Sequence, residues 1–112
     1  MDRLQLVRDA YRAFQADDRD AIERLLADPF RFYSPPDPGI DRAGFFERCW
    51  PHAGGVERFE FERLAEIDGE VLVTYEATRN DGSRFRNTEV FGFDAEAGQI
   101  SSQEVYFGWD LD

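Results

Sequence analysis

Ala65-Glu66-Ile67-Asp68-Gly69-Glu70-Val71-Leu72-Val73 spells out a β-hairpin. Asp-Gly adopts the positive backbone torsions that a two-residue hairpin turn needs, and strand-forming residues flank it. The same period-two texture starts at Val56. It predicts strands over about 56–67, 70–79, 84–94 and 99–109. Asp68-Gly69, Asn80-Asp81-Gly82-Ser83 and Ala95-Glu96-Ala97-Gly98 separate them. Consecutive strands with short connections form an antiparallel meander.

Upstream of Val56 the spacing is helical. Leu4, Val7, Ala10, Tyr11 and Phe14 predict an amphipathic helix over about 2–16. Asp17 or Asp18 caps a second helix with the apolar stripe Ala21, Ile22, Leu25 and Leu26, ended by Pro29. Phe30 to Ser34 reads as a short strand, and Pro35-Pro36-Asp37-Pro38-Gly39 as a rigid loop. Asp41 caps a third helix that Pro51 stops. Helices followed by a meander make an α+β fold, the helices covering one sheet face.

Composition bounds the function. A chain of 112 residues is expected to be one domain. With one cysteine, Cys49, there is no internal disulfide or Cys-rich metal site, and a lone His52 argues against a His-built zinc site. No phosphate loop, nucleophile elbow or metal-ligand cluster is visible, so no cofactor is expected. No apolar run approaches the ~20 residues of a membrane span, and the start is charged, so a cytoplasmic protein is expected. A net charge of −11 disfavours nucleic acid and anionic membranes as partners.

Turn lengths assign the sheet faces, because directly paired residues share a face. A two-residue turn at Asp68-Gly69 pairs Ile67 with Glu70 and Arg63 with Thr74; one at Asp81-Gly82 pairs Thr78 with Phe85 and Glu76 with Asn87. One face then carries Phe59, Phe61, Leu72, Thr74, Glu76, Asn87, Glu89 and Phe91. The 95–98 turn is longer and leaves the register of the last strand open; if Gly98 sits in a bulge, Gln103, Val105 and Phe107 join this face. The other carries Val71, Val73, Tyr75, Val90 and Tyr106. The helices cover one face, so the second is expected to meet another copy of the chain in a homodimer, or to be wetted through its arginines.

The element order, with Asp18-Arg19-Asp20-Ala21-Ile22-Glu23-Arg24-Leu25-Leu26-Ala27-Asp28 early and Glu104-Val105-Tyr106-Phe107-Gly108 late, resembles the nuclear transport factor two-like superfamily in its SnoaL-like branch. The resemblance spans essentially the whole chain. It implies a cone-shaped α+β barrel, a curved antiparallel sheet wrapped around three helices, usually dimeric, with a pocket inside. It also implies small-molecule chemistry such as isomerisation, cyclisation, dehydration or epoxide hydrolysis, or else a non-catalytic binding or dimerisation module. In Thr88-Glu89-Val90-Phe91-Gly92-Phe93, Glu89 takes the place of the ketosteroid isomerase acid that stays protonated in an apolar site. Elsewhere the chain departs from that pattern. Ser34 stands where the isomerase base belongs, with Asp37 nearby in the proline loop, and Ala10 stands for the helix tyrosine, with Tyr11 one position off. The epoxide hydrolase positions read Thr74, Glu76 and Val105, without the arginine that chemistry needs.

Glu89 and Glu76 are the candidate acid–base pair. Two carboxyls buried side by side raise at least one pKa. The structural alternative pairs Glu76 with Arg63 or Arg58 and bonds Glu89 to Asn87 or Gln103. Asn87 and Gln103 are candidates to orient a ligand, a small, largely apolar, oxygen-bearing molecule. Trp50, Tyr33, Phe14, Phe59, Phe61 and Phe107 are candidates to line its pocket, against ordinary core packing. His52 reads as a base at the pocket mouth or a surface loop residue, and Cys49 as core.

Overall fold

A computed structural model describes residues 1–111. Helix α1 (Arg3–Ala16) is capped by Asp2, whose side chain accepts the Gln5 N–H. The adjacent aspartates Asp17 and Asp18 divide the work between two helices. Asp17 takes the left-handed conformation (φ 54°) that ends α1, while the Asp18 carboxylate accepts the Ala21 N–H and starts α2 (Arg19–Leu25). Strand β1 (Leu26–Ser34), strand β2 (Asp37–Asp41), α3 (Arg42–Arg48) and a 3-10 turn (Trp50–His52) follow. Asp41 caps α3 by accepting the Gly44 N–H. The meander is β3 (Val56–Ile67), β4 (Glu70–Arg79), β5 (Arg84–Asp94) and β6 (Gln99–Leu111). Among the described residues no helix is long and apolar enough to cross a membrane.

The six strands form one curved, open sheet in the order β2-β1-β6-β5-β4-β3. The α+β class and the meander are as the sequence predicts. The first half differs. Leu26 and Pro29 belong to β1 instead of α2, and the proline loop closes into β2, which pairs with β1. The sheet is also mixed, because β1 runs parallel to β6.

Face assignment is where local turn rules fail. The Asp68-Gly69 turn has the expected register. The next connection is one residue off. Thr78 pairs with Arg84 and Glu76 with Arg86, and the Arg79 N–H closes the loop onto the Ser83 carbonyl. Because side chains alternate with period two, a one-residue slip inverts a strand. A bulge between Phe61 and Arg63 inverts the first half of β3 as well. The helix-covered face therefore holds Phe59, Val71, Val73, Tyr75, Ala77, Asn87, Glu89 and Phe91.

This corrects the expected dimer surface. Val71 and Val73 are 0% exposed, and Tyr75 is buried with them in the core. Of the expected surface, Val90 and Tyr106 lie on the opposite face, which β6 extends with Trp109 paired beside Arg86.

Strand β6 bulges at Gly108, because Asn87 pairs with Phe107 and Arg86 with Trp109. A Cβ at Gly108 would sit 2.0 Å from the Arg86 carbonyl oxygen, a contact no side chain can make. Gly108→Ala is expected to lower stability by about 1–3 kcal/mol through backbone displacement. Gly82→Ala, at a turn where a Cβ meets nothing, shows only the smaller strain of its positive φ. Denaturant melts of the two variants check the ranking.

Candidate functional site

The helices and the covered sheet face do not fill the space between them. A cavity of about 330 Å³ remains, lined from the three helices, the 3-10 turn and all six strands. Its deep wall is Tyr11, Tyr75, Glu89 and Phe91, all buried. Pro36, Arg48, His52 and Phe107 line it from positions open to solvent.

Glu89 is 4% exposed, and no side-chain cation pairs with it among the described residues. Dipoles take the place of a cation. Tyr11 Oη donates to Glu89 Oε1 at 2.7 Å, and Gln103 Nε2 donates to the same oxygen at 2.8 Å. Tyr75 Oη donates to Oε2 at 2.6 Å. The bonds favour the carboxylate and burial favours the acid. Burial is the larger effect, so the Glu89 pKa lies above the usual carboxylate range. Burial, followed by the Glu89 charge, raises the Tyr11 and Tyr75 hydroxyls well above the ordinary phenol value. Both phenols therefore stay protonated and serve as donors.

The polarity of this network is set from β6. The bulge at Gly108 presents its N–H to Asn87 Oδ1 at 3.1 Å. That fixes the amide orientation and aims Asn87 Nδ2 at Tyr75 Oη, 3.3 Å away. A tyrosine oxygen that accepts from Asn87 is free to send its own proton to Glu89. Oε1 receives two donors and Oε2 one, so Oε2 keeps the lone pair that can take or release a proton.

The other expected site residues divide. Phe14, Trp50, Phe59, Asn87, Gln103 and Phe107 all line the cavity. Glu76 does not, since the register slip puts it on the opposite face, bonded to Arg84 at 3.0 Å and Arg86 at 2.8 Å. Its partners are not Arg63 or Arg58, and it cannot pair with Glu89. Tyr33 is turned away and covers Gly39. Phe61 stands behind the wall, edge-on to Tyr11 at 5.2 Å between ring centroids. His52 lines the cavity from an exposed position, which fits either of its two readings.

Sequence reasoning missed Tyr11 and Tyr75 as partners of Glu89. Tyr11 stands in the apolar stripe of α1, and the resemblance set it one position off the isomerase helix tyrosine; in the fold it is Tyr11, not Ala10, whose position carries a hydroxyl to the carboxyl. Sequence reasoning named Asp37 only as a residue near the isomerase base position and missed its pairing with Arg48. Asp37 is buried, accepts from Ser34 Oγ at 3.2 Å and pairs with Arg48 Nε at 2.6 Å. Burial, with the Asp37 carboxylate next, pushes the Cys49 thiol up to about 11, so it is not a thiolate near neutrality. Among the described residues no group of three or more His, Cys, Asp or Glu gathers in a way that could hold a metal ion.

A pH signature follows from the raised Glu89 pKa. The unfolded chain releases the Glu proton near the ordinary value of 4.5, the folded protein only at higher pH. Between those values the folded state binds more protons, so stability falls as pH rises. The stability difference between wild type and Glu89→Gln is expected to fall across that window and then level off. Asn87→Ala weakens Tyr75 as a donor, so its window is expected to extend to higher pH. Denaturant melts across pH check both, and an Asn87→Ala profile that overlays wild type would break the proposed link.

Among solved structures, an NTF2-like protein of unknown function from Cytophaga hutchinsonii is similar at TM-score 0.74 and 18% identity, over 96% of this chain and 91% of the other. A putative ketosteroid isomerase from Kribbella flavida matches at TM-score 0.76 and 16% identity, over 96% and 78%. An LEH-like epoxide hydrolase from M. tuberculosis matches at TM-score 0.73 and 20% identity, over 94% and 81%. At such identities the likeness is one of fold. No curated protein matches the sequence. The SnoaL-like domain model matches residues 7–103, and with it the chain belongs to the SnoaL-like branch of the nuclear transport factor two-like superfamily.

Proposed function

We propose that this small-molecule-binding protein takes a largely apolar, oxygen-bearing ligand into the cavity and moves a proton on it without a cofactor. The observation that carries this reading is Glu89, a carboxyl with no cation paired to it at the base of a largely apolar cavity, held by three side-chain donors. A pKa above the usual carboxylate range makes it a stronger base than a surface glutamate and keeps part of it protonated closer to neutral pH. Through Oε2 it takes a proton from one ligand position and returns it to another, ending as it began. Isomerisation, dehydration and aldol-type cyclisation are all built from such transfers. Asn87 and Gln103, each with one amide hydrogen beyond those used on Tyr75 and Glu89, orient the ligand oxygen.

The second reading is a binding module without turnover. A cavity of about 330 Å³ lies at the lower end of the ligand-pocket range of roughly 300–1,000 Å³, which favours a small guest over a filled core. A thermal-shift panel of small lipophilic ketones, enones and epoxides is expected to yield stabilising ligands, by about 2.7 kcal/mol at a hundredfold excess over Kd. Glu89→Gln is expected to abolish turnover of any ligand that reacts. A ligand bound but unchanged by wild type would support the module. Full activity in Glu89→Gln would remove the mechanism.

The homodimer, on this reading, uses the sheet face away from the helices. Tyr106 and Trp109 are 55% and 64% exposed there, beside the Glu76–Arg84–Arg86 ion pairs. Trp109→Glu together with Tyr106→Glu is expected to halve the mass measured by light scattering while leaving the helix-covered core folded. Free Cys49, half-buried, suits the reducing cytoplasm that we propose as its compartment.

A further inference from the structure

Arg48 is a cation that the proton-transfer reading does not use. It stands in the last turn of α3 and lines the same cavity as Glu89, from the solvent side. Its Nε is held by Asp37 Oδ1 at 2.6 Å, and Asp37 is in turn held by Ser34 and almost wholly buried. A buried carboxylate gripping Nε fixes the plane of the guanidinium. Among the described residues no side chain or carbonyl takes its two terminal amino groups. The guanidinium is therefore aimed but unspent.

We propose that Arg48 is the anchor for an anionic end of the ligand, and that the ligand is a carboxylic acid with an apolar body reaching towards Glu89. This rests on the reading of the cavity as a small-molecule site and adds the ligand's chemical class. A terminal guanidinium edge matches a carboxylate with two parallel hydrogen bonds, a fit that an ester cannot offer. The negative charge of the chain as a whole does not forbid it. Exposed charges beyond about 8 Å are screened at physiological salt. Asp37 lines the cavity too, but its carboxylate is bonded to Ser34 and to Arg48 Nε, and a ligand carboxylate on the terminal amino groups lies nearer to the guanidinium than to it. The aromatic rings of Phe14, Trp50 and Phe59 lie along the wall, where a flat apolar body fits.

Naphthylacetate and its methyl ester form the test pair, with binding measured by calorimetry at neutral pH. The acid is expected to bind about tenfold or more tightly than the ester. Arg48→Met is expected to bring the acid down to the ester's affinity and leave the ester unchanged, which also reports that the variant is folded. Arg48→Lys keeps the charge and loses the planar fork; it is expected to fall in between, and it carries the test if Arg48→Met does not fold. Equal binding of acid and ester, an acid preference that survives Arg48→Met, or no binding of either probe at millimolar concentration would overturn the proposal. Glu89→Gln separates the two ideas. It is expected to keep the acid preference, so a failed proton-transfer reading leaves the Arg48 result standing and the reverse also holds.

Discussion

A carboxyl removed from water without a cation must be satisfied by dipoles, and the arrangement around Glu89 is organised by that requirement. An unpaired buried charge costs several kcal/mol, which is a large part of the stability of a small domain. Three donors reduce that cost, and each comes from a different element. Tyr11 comes from α1, Tyr75 from β4 and Gln103 from β6. The site therefore exists only when helix and sheet are docked. The bonds do not fully offset burial, and the residual imbalance is the raised pKa that makes the group chemically useful.

Legibility of the fold followed the range of the interactions. Helix caps and the Asp68-Gly69 hairpin are local, and the residues Asp18, Asp41, Asp68 and Gly69 state them directly. The β1–β2 hairpin was hidden because its prolines read as loop; Pro38 is tolerated in β2, which forms the edge of the sheet. The parallel pairing of β1 with β6 joins segments some seventy residues apart, and no local pattern announces it.

The site was half legible for a more particular reason. Two irregularities, the bulge in β3 and the longer β4–β5 loop, each invert a strand relative to β4. Their effects cancel between β3 and β5. Phe59 and Phe61 thus share a face with Asn87, Glu89 and Phe91, as turn counting had it. Strand β4 between them is reversed, so Tyr75 occupies the inner position that Glu76 was expected to hold. An acid pair is replaced by an acid and a phenol. That changes the chemistry from two carboxyls sharing one proton to one carboxyl with fixed donors.

The bulge at Gly108 ties these scales together. It lies near the end of the last strand, where its missing Cβ lets the backbone of β6 close on the Arg86 carbonyl. Its N–H fixes the amide of Asn87, Asn87 fixes the direction of the Tyr75 hydroxyl, and Tyr75 donates to Glu89. A backbone irregularity is thereby converted, through two side chains, into the protonation behaviour of a group at the base of the cavity. The same sheet turns Tyr106 and Trp109 outward, so β6 serves the cavity on one side and presents aromatic surface on the other. A change at the outer aromatics has a short physical route to Glu89, because Phe107 and Gly108, the residues between them, are cavity wall and latch.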